Sequence, residues 1–204
     1  MTIPHREPQK PSFREASKDA LLLVLRPLVR WLSIMRVRPD TLTVIGWTLA
    51  LCSAVLFGLG YARIAGAVML FGGLFDALDG AVARESNRMS SFGAFLDSTL
   101  DRLSESAVFV GLIFFYASTA HPYGALLAGI AMTFSLLTSY ARARAEGLNI
   151  DCKVGLLERA GRVVILSVFS ILGLPTVGLS LLAAGALVTT AQRILHVRRA
   201  TRKG

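Results

Sequence analysis

Residues 75–102 read FDALDGAVARESNRMSSFGAFLDSTLDR, and four aspartates, Asp76, Asp79, Asp97 and Asp101, stand there between strongly apolar runs. A carboxylate is costly to desolvate, and like charges packed together add repulsion. The first two are three residues apart and the last two are four apart, so each pair lies on one face of a helix. The short polar run RESNRMSS lies between the pairs and predicts a bend. The stretch therefore reads as a helical hairpin with a carboxylate pair on each arm, close to its polar end. Such a cluster requires positive partners, and intramembrane ionisable residues are candidates for function by default.

Working outward, the 204 residues are 53% hydrophobic and only 17% charged, against about a quarter charged in an average soluble domain. Apolar runs recur at 42–59, 64–82, 92–116, 123–142, 162–174 and 177–195. These predict six transmembrane helices. The fifth reaches spanning length only if its helix begins near Leu156. The net charge is +9, but the basic residues fall in bursts between apolar runs, which argues against a nucleic-acid surface. With the N-terminus inside, Arg63 is the only one of 22 Lys and Arg residues in an outer loop. The positive-inside rule then puts both termini and the aspartate hairpin on the cytoplasmic side of the cell membrane.

Before the first span, Phe13, Leu21, Leu25, Leu28, Leu32 and Met35 recur at helical spacing among Arg14, Lys18, Arg26, Arg30 and Arg36. This predicts an amphipathic helix in the membrane interface, bent at Pro27. The expected fold is all-α: a polytopic membrane protein with a flexible tail (1–11), an interfacial helix (12–38), a six-helix catalytic domain (39–198) and a basic cytoplasmic tail (199–204). The polar first 20 residues predict no cleavable signal peptide. Cys52 and Cys152 have no disulfide or metal spacing. His5, His121 and His196 receive no chemical role.

Four carboxylates supply hard oxygen ligands, and no His or Cys stands near them in sequence. This suits Mg²⁺ or Mn²⁺. Two divalent ions would offset the four charges and suit phosphoryl chemistry. Gly80, Ala81, Ala83, Gly93 and Ala94 keep the inner helix faces low, so that a ligand can approach. Arg84 offers a bidentate phosphate contact.

Asp76, Asp79, Gly80, Ala83, Arg84, Gly93, Asp97 and Asp101 fill the pattern D-x2-D-G-x2-A-R-x8-G-x3-D-x3-D. This resembles the signature of the CDP-alcohol phosphotransferase (CDP-alcohol phosphatidyltransferase) family. The resemblance implies a homodimeric enzyme that moves a phosphatidyl group from a CDP-linked lipid, usually CDP-diacylglycerol, to the hydroxyl of a polar alcohol, releasing CMP. It implies that Asp76, Asp79, Asp97 and Asp101 bind two Mg²⁺ or Mn²⁺ ions, and that Asp101 is also the general base. It implies that Gly80, Ala83, Arg84 and Gly93 shape the CDP-lipid site. RPDTLT resembles a second family element, which adds Pro39, Asp40 and Thr43 to the nucleotide side.

The acceptor is read from a second basic set. Arg142 and Arg144 lie in SYARARAE, Arg159 and Arg162 in GLLERAGR, and Arg193 in AQRILHV. These segments are similar to the phosphatidylinositol phosphate synthase branch, whose basic residues hold the acceptor's phosphate. The similarity implies inositol phosphate as acceptor, held by Arg142, Arg159 and Arg193. Arg142 stands where that branch has Lys, so glycerol 3-phosphate stays open as an alternative. Glu105 is expected to pair with an arginine, and Arg102 with a carboxylate. A cation transporter is the competing class. It would need acidic groups spread across the membrane depth, whereas these gather at one end.

Overall fold

The computed structural model describes residues 13–86 and 89–202, so the predicted 1–11 tail and the last two residues of the predicted 199–204 tail lie outside the described residues. The described residues form seven helices: α1 (Phe13–Ile34), α2 (Pro39–Gly58), α3 (Ala62–Glu85), α4 (Ser91–Ser118), α5 (Pro122–Glu146), α6 (Arg159–Ile171) and α7 (Pro175–Thr201). No strand occurs among them. Their starts follow from local chemistry. Proline opens α2, α5 and α7, where its fixed φ and missing N–H cost nothing. Ser90 caps α4, accepting a 2.9 Å hydrogen bond from the Gly93 amide.

The helices α2, α3, α6, α7, α5 and α4 pack pairwise in that order, and α4 returns to α2 to close a ring. Small residues make the seams close. A Cβ on Gly66 of α3 would lie 2.7 Å from the Ser167 carbonyl of α6, so only glycine permits that approach. The ring interior is layered. At one end it is apolar, with Phe57, Met69, Phe109, Leu112, Leu166, Leu179 and Leu182 buried together. At the other end Thr43, Asp79, Glu105, Thr138, Arg162 and Arg193 are buried.

The outer surface is apolar, exposing Val55, Phe114, Leu126, Leu181 and Leu187 among many others. Soluble monomers rarely expose so continuous an apolar surface. By length and composition α2, α3, α5 and α7 are able to cross a membrane. The chain is a multi-pass membrane protein. Two helices depart from the six-span expectation when taken alone. α4 is 28 residues long, but it carries Asp97, Asp101, Arg102 and Glu105. α6 starts at Arg159 rather than near Leu156, and its 13 residues cover only about 20 Å of a hydrocarbon layer about 30 Å thick.

α1 runs unbroken through Pro27. It docks on α3 through Leu25 and Val29, with Leu32 packed beside them. Leu28 and Met35, expected on the same face, are exposed with Leu23, Val24, Trp31 and Ile34. The buried face is thus set by contact with Leu78, Ala81 and Val82, not by the most hydrophobic stripe.

Candidate active site

α2 begins, α3 ends and α4 begins at the polar end of the ring. α5 ends, α6 begins and α7 ends there too. The four aspartates gather inside this end on the facing sides of α3 and α4, within electrostatic reach of one another. Arg159, the first residue of α6, enters between them. Its Nη1 lies 2.8 Å from Asp76 Oδ2 and 2.8 Å from Asp101 Oδ1. The cation required by the sequence is therefore supplied from the chain itself.

Asp79 is the most enclosed of the four at 5% exposure. Thr43 of α2 donates to its Oδ2 at 2.6 Å. Thr43, assigned by resemblance to the nucleotide side, thus holds a carboxylate directly. Thr43→Val keeps the shape and leaves this buried oxygen short of a donor, which costs roughly 1–3 kcal/mol. The expected result is a lower thermal midpoint in metal-free detergent solution, with Thr43→Ser close to wild type. Equal midpoints for Thr43→Val and wild type would show the bond to be idle. Gly46, one turn further along α2, lets Asp76 sit close. A Cβ there would stand 2.8 Å from Asp76 Oδ1.

The remaining signature residues form the rim. The Arg84 guanidinium folds back over its own helix, 3.5 Å from where a Cβ of Gly80 would be. Asp40 Oδ1 stands 3.8 Å from the equivalent position at Gly93 and pairs with Arg38 at 3.5 Å. Asp40 and Gly93 thus bring the starts of α2 and α4 together, Gly80 and Arg84 lie beside Asp79 near the end of α3, and Pro39 and Ala83 adjoin them in the chain.

The expected acceptor arginines occupy three different environments. Arg159 bridges the aspartates. Arg142 is half-exposed and pairs with Glu146 at 2.8 Å. Arg193 is buried and donates from Nε to the Val154 carbonyl at 3.0 Å and from Nη1 to the Thr138 carbonyl at 2.5 Å. Arg142 and Arg193 lie within electrostatic reach of each other. Glu105 pairs with an arginine as expected, and the partner is Arg162. Arg102 differs from expectation: it donates to the Ser98 carbonyl of its own helix, with Asp97 within electrostatic reach.

The donor set suits a hard divalent ion, being all carboxylate oxygen with no His or Cys among the residues described around it. Among the described residues no three ligand side chains stand around one point closely enough to hold an ion. Arg159 takes the charge-compensating place between Asp76 and Asp101 instead. A cation in that place is the electrostatic requirement of the site, and the chemistry of the carboxylate donor set fits a hard divalent ion there.

The sequence profile of CDP-alcohol phosphatidyltransferases matches residues 36–192. The archaetidylinositol phosphate synthase of Methanothermobacter thermautotrophicus is 38% identical over 165 residues, which cover 78% of this chain and 82% of the relative. The phosphatidylinositol phosphate synthase of Mycobacterium tuberculosis (strain H37Rv) is 35% identical over 189 residues, covering 87% of each chain. The crystal structure of the M. tuberculosis enzyme with CDP-DAG bound superposes with a TM-score of 0.75 at 34% identity, over 84% of this chain and 92% of that one. The crystal structure of that enzyme in complex with manganese and citrate gives a TM-score of 0.76 at 34% identity, over 84% and 87%. The profile spans most of the chain, the relatives cover it at 38% and 35% identity and the fold agrees, and the chain belongs to the CDP-alcohol phosphatidyltransferase family.

Proposed function

We propose that this protein transfers the phosphatidyl group of CDP-diacylglycerol to a hydroxyl of inositol phosphate, releasing CMP. The observation that carries the reading is Arg159, a candidate acceptor cation 2.8 Å from both Asp76 and Asp101. It joins the phosphate-binding side of the site to the carboxylates. The relatives named archaetidylinositol phosphate synthase and phosphatidylinositol phosphate synthase support the same acceptor class. Glycerol 3-phosphate is the second reading, because Arg142 carries a guanidinium where the similar branch has an amine.

The acceptor hydroxyl is held near Asp101, which takes its proton as the oxygen attacks the phosphorus bearing the diacylglycerol. A new P–O bond forms, the anhydride P–O bond breaks, and CMP leaves with the bridging oxygen. Arg84, with Gly80, Ala83 and Gly93, holds the CDP moiety, and Pro39, Asp40 and Thr43 complete that side. Arg142, Arg159 and Arg193 hold the acceptor's phosphate. Two divalent ions, Mg²⁺ or Mn²⁺, held by Asp76, Asp79, Asp97 and Asp101, would neutralise phosphate charge in the anhydride. With the aspartates so compensated, Arg159 would be free to hold the acceptor's phosphate.

The membrane placement follows. The ring forms the catalytic domain (39–198) and crosses the cytoplasmic membrane with six helices. Of the α4 charges, Asp101 meets Arg159 and Glu105 meets Arg162 of α6, and the short α6 is flanked by α3 and α7. The exposed apolar residues of α1 lie in the interface. Both termini and the site face the cytoplasm, and the enzyme works as a homodimer.

The deciding experiment measures CMP release by purified protein from CDP-diacylglycerol, offered inositol phosphate, glycerol 3-phosphate or free inositol in turn. Preference for free inositol would overturn the phosphate pocket. Excess EDTA is expected to abolish the activity and Mn²⁺ or Mg²⁺ to restore it, with Ca²⁺ a poor substitute because its larger, looser coordination fits the reaction badly. Full rate in EDTA would remove the metal role of the aspartates.

A further inference from the structure

Beside the aspartates lies a second ionic contact that the roles above do not use. Arg162 of α6 is 1% exposed and Glu105 of α4 is 6% exposed. Arg162 donates from Nε to Glu105 Oε1 at 2.7 Å and from Nη2 to Oε2 at 2.9 Å. Its Nη2 also reaches Ser139 Oγ of α5 at 3.4 Å. Each of these residues lies one helical turn from a candidate site residue. Glu105 is four residues after Asp101, Arg162 three after Arg159, and Ser139 three before Arg142. Such offsets share a helix face. One buried node therefore ties together the three helices that carry the proposed base and two acceptor cations. A cavity of about 30 Å³ touches both layers through Asp76, Glu105 and Arg159.

The need for such a node follows from α6. Arg159 is its first residue, and a helix end is held weakly by its own backbone bonds. The Arg162–Glu105 fork, one turn inward, fixes direction as well as distance. A buried ion pair adds little net stability over an apolar pair of similar volume, so what this pair contributes is geometry.

We propose that Glu105 and Arg162 are positioning residues for the acceptor side of the site. They set the register of α6 against α4 and thereby aim Arg159 at the acceptor's phosphate beside Asp101. This inference rests on the acceptor reading above. The test is the double variant E105M/R162M, which keeps the buried volume and removes both charges. It is expected to unfold near the wild-type midpoint. Its KM for inositol phosphate is expected to rise roughly 10- to 100-fold, while the KM for CDP-diacylglycerol stays within about twofold.

R162K, which keeps the charge and loses the fork, is expected to show the same split with a smaller rise. A folded double variant with a wild-type acceptor KM overturns the proposal, and so does an equal rise in both KM values. If the double variant does not fold, R162K decides, and a wild-type acceptor KM in R162K is equally fatal. If wild-type protein uses glycerol 3-phosphate and not inositol phosphate, the acceptor reading fails by itself, and the same split is then read on glycerol 3-phosphate.

Discussion

Asp101→Asn is expected to lower CMP release by roughly 10²- to 10⁴-fold while the protein still binds Mn²⁺ and CDP-diacylglycerol. The substitution keeps the side-chain shape and one oxygen and removes the proton acceptor. Three carboxylates remain for the metal, and the CDP-lipid rim, built from α2, α3 and the start of α4, is untouched. Asp101 is one of two carboxylates contacted by Arg159, so the variant retains Asp76 to hold the guanidinium and the site keeps its arrangement. Asp76→Ala and Asp79→Ala are expected to fail differently, by weakening Mn²⁺ binding. Mn²⁺ titration followed by electron paramagnetic resonance, alongside single-turnover CMP release, separates the two cases. A near wild-type rate in Asp101→Asn would assign the base to another group. Loss of Mn²⁺ binding on a par with Asp76→Ala would make Asp101 a ligand first.

The hairpin was legible in the sequence because carboxylates in apolar surroundings demand compensation, and spacings of three and four fix the helix face they share. What the sequence withheld were choices made by distant contacts. The start of α6 is one. The sequence brings the fifth helix to spanning length only by starting it near Leu156, but the Leu157 amide donates to Thr189 Oγ1 of α7 at 2.9 Å and the Val154 carbonyl accepts from Arg193. Bonds to α7 thus occupy backbone groups there, and α6 begins only at Arg159. The buried face of α1 is another, where Val29 replaces Leu28 because α3 supplies the partner surface. Arg193 illustrates the same limit for charge. Its sign and position at the polar end were legible, but its use as a donor to carbonyls of α5 and the α5–α6 connection depends on residues 39 and 55 positions away. The Glu105–Arg162 pair carried a readable signal, since both lie one turn from site residues on their own helices.

Arg159→Ala is expected to act on two ligands in opposite directions. In the wild-type protein its Nη1 lies 2.8 Å from Asp76 and Asp101, so a metal must displace a charge that is already in place. Removing the guanidinium removes this competitor, and Mn²⁺ is expected to bind more tightly than in wild type. The same change deletes a cation from the acceptor pocket. Charge-assisted contacts contribute roughly 1.5–3 kcal/mol each, so the acceptor KM is expected to rise about 10- to 100-fold. The KM for CDP-diacylglycerol should stay nearly flat, because that ligand is read by the rim. Arg193→Ala provides the contrast. Arg193 is 3% exposed and bonded to two carbonyls, and it touches none of the aspartates. Its loss is expected to lower thermal stability and leave Mn²⁺ affinity unchanged, whatever it does to the acceptor. Mn²⁺ titration of both variants without substrates, followed by steady-state kinetics with each substrate varied, tests every part. Unchanged Mn²⁺ affinity in Arg159→Ala would mean that the arginine and the metal never compete for Asp76 and Asp101. An unchanged acceptor KM would leave Arg159 as a counter-ion of the aspartates alone, and the phosphate contact would have to come from Arg142 and Arg193.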